Sequence, residues 1–542
     1  MDPLATISTR RTPQTEKADR RQVRNSAGGY VFELDDLARL RRFLTLGTDG
    51  ATYYTSAQDL TRDNAEVLFR LAETTHAAAV DVVAEISEAG RAPRQNPAIF
   101  ALAVLASTGD ADEKRYALAQ LSRVARTGTH LFLFARYIEQ FRGWGRGLRR
   151  AVGDWYLARE VDSLAYQVVK YRQREGWSHR DLLRLAHPGT DETGRRALFD
   201  WIVRGSVDEH TPRLVEGYIK ATEAGADHPA LIRDYGLSWE MLPDEALGKP
   251  ATWDALLDVG MPQTALMRQL PRLTRLGLLP AMGGRTAEVA ARLSDAERLR
   301  KARVHPVNVL VAQRTYASGT SARGEGVWSP TTKIVDALDA AFYAAFGAVE
   351  PTGKRTMLAL DVSGSMAMAP ISNMPLTPRE ASAALSLVTA AVEPDHMIVG
   401  FTSGQRNGGY FMNRTRMQEI GAGLKPLSIS PRQRLDDAIR AVSDLEFGQT
   451  DCAAPMEYAR ANGIEVDTFV VYTDNETYHG RTHPHQALQE YRRHTGIEAR
   501  LVVVGMTATP FSIADPSDPG MLDVAGFDSA VPNLIGDFSR GL

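Results

Sequence analysis

The sequence predicts a mostly α-helical half followed by an α/β domain built on a doubly wound parallel sheet. Three observations carry this. From about residue 30 to 317, apolar residues recur at helical spacing and small residues or glycine close each run. After residue 355, four short and nearly continuous apolar runs alternate with helical segments, the grammar of strands buried on both faces. Between the halves, "ASGTSARGEGVWSP" (residues 317–330) is rich in Gly and Ser and reads as a linker. A chain of 542 residues is too long for one ordinary core, so more than one domain is expected.

The elements follow in order. Residues 1–24 are polar and charged, without the apolar stretch of a secretory signal, and read as a mobile N-terminal arm. Residues 25–354 form the helical half. "LDDLARLRRFLTLG" places Leu34, Leu37, Leu40, Phe43 and Leu44 at helical spacing and ends at Gly47, a helix cap. "NPAIFALAVLASTGD", "EKRYALAQLSRVARTG", "TPRLVEGYIKATEAG" and "TWDALLDVGMPQTALMRQLPRLTRLG" repeat the plan. No fixed-period repeat is visible, so stacked helical pairs of degenerate sequence are expected. Residues 355–542 form the α/β domain, with strands in "TMLALDVS", "HMIVGFTS", "VDTFVVYTDN" and "ARLVVVGM". Its helices are read in "PREASAALSLVTAAV", "PRQRLDDAIRAVSDL" and "HPHQALQEYRRHTG".

Composition narrows the classes. No apolar run approaches the roughly 20 residues that span a bilayer, so no membrane partner is expected. The single cysteine, Cys452, permits neither an internal disulfide nor a thiolate metal cage, which suits a reducing cytoplasm. The overall charge of −3 hides an asymmetry: residues 114–196 carry 17 Lys and Arg against 8 Asp and Glu. Such a segment is compatible with a polyanion, although a basic stripe can equally be a solvated face.

Two stretches carry candidate chemistry. In "DVSGS", Asp361, Ser363 and Ser365 alternate at the mouth of a buried strand. "FGQTDCAAP" adds Thr450 and "YTDNET" adds Asp474, again at a strand end. Hard divalent cations take oxygen ligands, and Mg2+ uses few carboxylates. Three hydroxyls and two carboxylates could hold a divalent cation, with Mg2+ the expected ion, and leave a place for an acidic side chain or phosphate of a partner. The alternative is that these residues only satisfy turns and helix caps. The second stretch is basic. "LFARYIEQFRGWGRGLRRAVGDWY" interleaves Arg136, Arg142, Arg146, Arg149 and Arg150 with aromatics, of which Trp155 and Tyr156 read as core. "KYRQREGWSHRDLLRLAHPGT" gathers Lys170, Arg172, Arg174 and Arg180, and Ser178 with Asp181 reads as a capping pair. On spacing alone His187, before Pro188, reads as a capping or buried histidine.

Enzyme motifs are missing from the text. There is no Walker sequence, HExxH, GxSxG or paired-cysteine zinc pattern. Hydroxyls outnumber carboxylates at the candidate cation site, unlike a metal nuclease. The chain is therefore expected not to be an enzyme.

Residues 30–54, "GWGRGLRRAVGDWY", "KYRQREGWSHRDLLRLAH", "MPQTALMRQL", "VHPVNVLVAQRTYASG", "ALDAAFYAAFGAVEPTGKR" and "VVVGMTATPFSIADPSDPGMLDVAGFD" resemble the Ro autoantigen family. That family joins a TROVE module to a von Willebrand factor A domain with a metal-ion-dependent adhesion site. The resemblance implies a ring of HEAT-like helical repeats over residues 25–354, closed by the α/β domain. It implies Ser363, Ser365 and Thr450 as direct cation ligands, with Asp361 and Asp474 binding directly or through water. It further implies that small noncoding Y RNAs bind the outer ring surface through Lys170, Arg174 and His187. Arg172 and Arg180 join them by proximity, and His130 and Arg136 are expected to line the ring. Single-stranded 3′ ends of misfolded or structured RNA would enter the central hole. An exoribonuclease would act with a monomeric, noncatalytic protein in RNA quality control, maturation and decay under stress. The competing reading is a metal-dependent scaffold whose ligand is an acidic protein.

Overall fold

A computed structural model describes residues 11–47, 57–321, 326–347, 349–368, 376–402, 423–443 and 449–542. Residues 1–10 of the expected arm, 48–54 of one family-like segment and 322–325 of the linker lie outside these.

The helical half is built from short helices whose apolar stripes pack on their neighbours. Asp36–Leu46 starts where the Asp35 carboxylate accepts from the Ala38 N–H at 2.8 Å. It ends at Gly47, whose φ of 67° a residue with a side chain rarely adopts. Leu40, Phe43 and Leu44 are buried, as their spacing predicts. Later helices include Asn96–Leu105, Gly128–Ile138, Arg146–Leu157, Val161–Lys170, His179–Ala186, Arg213–Ala221, Gln263–Arg275 and Pro306–Ala317. The array closes on itself. The His305 imidazole contacts the Arg91 carbonyl at 2.9 Å, and the Asn308 amide donates to the Pro93 carbonyl at 3.1 Å.

The strands are β1 (Gln22–Arg24), β2 (Tyr30–Glu33), β3 (Gln173–Arg174), β4 (Trp177–Ser178), β5 (Thr356–Asp361), β6 (His396–Phe401), β7 (Leu424–Pro426), β8 (Thr468–Thr473), β9 (Arg500–Gly505), β10 (Phe511–Ser512) and β11 (Met521–Ala525). The main sheet runs β11-β9-β8-β5-β6-β7, parallel except for β7. Strand residues alternate between two cores. Leu358, Leu360, Val470 and Val502 join the helices Pro378–Val392 and Val531–Arg540 in a cluster continuous with the helical half. Met357, Ala359, Val471 and Val503 join Met456, Leu488 and Tyr491 in a separate one. Helices on both faces make the sheet doubly wound. From β5 the chain passes to β6 on one side, then crosses to β8 on the other. The carboxyl ends of β5 and β8 therefore flank the topological switch point, where such sheets bind ligands.

The reading of residues 1–24 as a mobile arm is corrected for the described part, residues 11–24. β1 and β2 form a three-stranded antiparallel sheet with β10 of the α/β domain. Gln14 is fully buried; its amide donates to the Asp451 carboxylate at 2.8 Å and the Thr482 carbonyl at 2.9 Å. Asn25 donates to the Thr477 carbonyl at 2.7 Å. The segment is polar because amide side chains do most of the fastening, with Val23 packed on the α/β core beside them. Residues 25–34, assigned above to the helical half, also pack with the α/β domain, here through Val31 in its core and the Phe32 ring against His485.

Candidate nucleic-acid interface and metal centre

The metal candidates converge at the switch point. Asp361 ends β5 and is fully buried, while Ser363, Ser365, Thr450 and Asp474 are nearly so. The Asp361 carboxylate accepts from the Ser363 N–H at 2.9 Å and from the Thr473 hydroxyl at 2.7 Å. The Ser363 and Ser365 hydroxyls lie 3.1 Å apart, and Ser365 also bonds Asp474. Thr450 sits on the next loop, where its carbonyl accepts from the Tyr478 and His479 N–H groups at 3.3 and 3.1 Å. Burial, and then the Asp474 charge, push the Asp361 carboxyl up to about 7; the hydrogen bonds from Ser363 and Thr473 oppose this. Burial likewise raises Asp474. Two adjacent carboxylates withdrawn from water disfavour each other's charge, and a divalent cation removes that conflict. The donor set therefore fits such an ion. Among the described residues no group of three or more His, Cys, Asp or Glu is placed to hold a metal, so any cation here depends on the hydroxyls.

The basic candidates divide. Arg172, Arg174 and Arg180 line one open groove of about 800 Å3, with Trp201 and Arg204 on its other wall. A two-residue turn shapes it. Glu175 and Gly176 have φ of 56° and 81° and join β3 to β4. Ser178 and Asp181 then form the capping box that starts helix His179–Ala186. All three arginines are exposed. Arg172 rests on the Tyr218 ring, 5.2 Å from its centroid, and donates to its hydroxyl. Arg204 pairs with Asp200 at 2.6 Å.

Lys170 does not share that face. Its side chain is only 8% exposed, lies 3.3 Å from the Glu240 carboxylate and is covered by the Tyr166 and Tyr171 rings. Direct phosphate contact, as expected from sequence, does not fit a cation already neutralised and enclosed. His187 is exposed, in the left-handed conformation that caps helix His179–Ala186, so its backbone role is structural while its ring is accessible. It does not line the groove. Arg136 is exposed but ion-paired with Glu175 on the hairpin turn. His130 lies in the first turn of Gly128–Ile138, where burial, and then Arg126, push its imidazole down to about 3. His179 is core: it lies 2.7 Å from the Tyr156 hydroxyl and 6.4 Å from the stacked Trp155 ring. Trp155 and Tyr156 are fully buried, as their spacing suggests. Sequence reasoning missed Arg204 and Trp201, since "DWIVRG" carries no sign beyond an ordinary helix end.

No helix among the described residues is long and apolar enough to cross a membrane.

Two family models match in order along the chain: the TROVE domain over residues 23–212 and 234–315, and the Ro60 vWA domain over residues 355–539. The chain is 42% identical to "RNA-binding protein RO60" of Deinococcus radiodurans, over 99% of each chain. It is 36% identical to the protein of the same name in Caenorhabditis elegans, over 97% of this chain and 91% of that one. The crystal structure of the Deinococcus radiodurans RO (RSR) protein superposes with a TM-score of 0.69 at 41% identity, covering 94% of this chain and all of that one. With both domains in sequence order and whole-length relatives at this identity, the chain belongs to the Ro60 family.

Proposed function

We propose that this protein is a noncatalytic RNA-binding ring. The carrying observation is the open groove that Arg172, Arg174, Arg180 and Arg204 line together with Trp201. Cations that reach phosphates beside an aromatic that can stack a base form the recurrent chemistry of RNA recognition. Relatives across the full chain are named as RNA-binding proteins, which supports the reading. In its finer form, the groove takes a structured RNA of the Y class and the exposed His187 ring extends the contact. The ring's hole takes single-stranded 3′ ends of misfolded RNA, and the complex works with an exoribonuclease in the cytoplasm.

Arg174→Ala/Arg180→Ala tests the groove. Each phosphate contact contributes a salt slope of roughly 0.9, so losing two weakens binding about 30-fold at 0.15 M salt. Filter binding of a Y-like hairpin RNA at several salt concentrations reads this, and parallel salt slopes for variant and wild type would overturn it.

A second role belongs to the α/β domain. The two buried carboxylates and their hydroxyls would hold Mg2+ through Asp361, Ser363, Ser365, Thr450 and Asp474. The ion would supply a positive centre to which an acidic group of a protein partner could bind. This site and the groove occupy different domains, so the two roles are separable.

A further inference from the structure

The groove does not end at Arg172. Its neighbour Tyr218 belongs to helix Arg213–Ala221, and the Tyr218 ring meets Trp201 of the opposite wall with centroids 6.3 Å apart. The wall is thus continuous with that helix. Two further cations stand on the helix, Arg213 and Lys220. They are seven residues apart, two turns, and therefore share a side. Between them lies Gly217. A Cβ there would come within 2.4 Å of the Tyr235 Cβ and ring, so only glycine lets Tyr235 lie against the helix. The ring is held between the two charges. The Arg213 guanidinium is 5.3 Å and the Lys220 ammonium 5.0 Å from its centroid, and Lys220 also donates to its hydroxyl at 2.6 Å.

Among the described residues neither cation has a carboxylate ion-pair partner. Glu216 and Glu223 are near enough to influence Lys220 without pairing with it. By contrast, Arg115, Arg123, Arg233 and Arg285 of the same half are each paired with Asp or Glu. A cation held by an aromatic ring keeps its charge uncompensated and its position fixed. The spacing along the helix is about 10 Å, roughly three nucleotide steps of a helical strand at 3.4 Å each.

We propose that Arg213, Lys220 and Tyr235 form a second RNA subsite, a platform that takes the strand leaving the groove. Arg213 and Lys220 contact its phosphates, and the exposed part of Tyr235 offers a stacking face. The alternation of cation, ring and cation favours RNA over an acidic peptide, which has no bases to stack. The proposal rests on the groove being an RNA site.

The test uses the full chain and a hairpin RNA with or without a single-stranded flank of about ten nucleotides. Arg213→Ala/Lys220→Ala is expected to bind the flanked RNA about 15-fold more weakly at 0.15 M salt, from two single-strand contacts at roughly 0.7 each. The bare hairpin should bind as to wild type. Tyr235→Leu, which keeps an apolar group on Gly217, should weaken the flanked RNA only. Unchanged affinity for both RNAs, while Arg174→Ala/Arg180→Ala still loses binding, would overturn the platform and leave the groove standing. Unchanged affinity in both double variants would overturn the groove reading itself. A variant that lost polyglutamate binding but kept the flanked RNA would assign the platform to an acidic peptide and overturn the proposal.

Discussion

Arg42→Met tests how firmly the helical half is joined to the α/β domain. Arg42 lies on helix Asp36–Leu46 and is 1% exposed. Its guanidinium donates to the Thr509 and Phe511 carbonyls, each at 2.9 Å, and to Asp523 at 2.5 Å. It also occupies the space a Cβ on Gly505 would need, so the sheet end is shaped around it. Burial raises the Asp523 carboxyl and Arg42 opposes that rise. Methionine would leave a buried carboxylate and two carbonyls without this donor, a loss of roughly 3–5 kcal/mol. Unfolding entropy near the melting point is roughly 2.1 cal/mol/K per residue, about 1.1 kcal/mol/K if all 542 residues melt together. Calorimetry should then show Tm lower by about 3–4 °C. If the α/β domain melts alone, its smaller entropy makes the same loss about 10 °C, so the size of the drop reports the cooperative unit. Arg42→Met/Asp523→Leu removes the orphaned charge and should recover at least half of the loss. A single variant within about 0.5 °C of wild type, or losses that simply add in the double variant, would refute the latch.

Two further outcomes are expected. His305 is fully buried where the array closes; its Nδ1 accepts from the Val307 N–H at 3.2 Å, so Nε2–H donates to the Arg91 and Phe527 carbonyls. Burial pushes its imidazole down to about 4 from an ordinary 6.5. The unfolded chain then binds the extra proton, so the contribution is present above pH 6.5 and is lost as pH falls towards 4, about 2 kcal/mol of it between pH 7 and 5. His305→Asn keeps a donor without that titration, and Tm of the variant should fall less than wild type over this interval; equal falls would exclude His305 as a source of acid sensitivity. Gln14 receives the Thr477 hydroxyl at 2.5 Å and donates to Asp451, next to Thr450, so it ties together two loops of the proposed cation site. Gln14→Leu should weaken Mg2+ binding by calorimetry about fivefold, the equivalent of one lost hydrogen bond, while Asp361→Ala abolishes it and both keep hairpin RNA affinity. Wild-type Mg2+ affinity in Gln14→Leu would show that the N-terminal segment does not position the site.

The architecture was legible wherever burial is periodic. Leu40, Phe43 and Leu44 face one core because a helix repeats, and Met357 and Leu358 face different cores because a strand alternates with both sides covered. The cation candidates were legible as far as Asp361 and Asp474 follow apolar strand-like runs, the ends at which parallel sheets bind ligands; that β5 lies beside β8 is set by the folded sheet order and not by chain order. Charge and amide residues carry no such period. Lys170 looks like a surface cation beside Arg172 and Arg174, yet Glu240, seventy residues away in the chain, sits against it. Gln14 and Asn25 look like a solvated tail, yet their acceptors lie in the last hundred residues. Arg204 reads as an ordinary helix end until the β3–β4 hairpin supplies the opposite wall. For Lys170, Gln14 and Asn25 the decisive partner comes from a distant part of the chain and is a polar group rather than an apolar stripe. A basic count over residues 114–196 therefore points to the segment that holds Arg172, Arg174 and Arg180 of the groove but could not separate them from the enclosed Lys170. That separation follows from the Glu240 carboxylate and the two tyrosine rings that enclose Lys170, and it directs the RNA test to Arg174 and Arg180 instead.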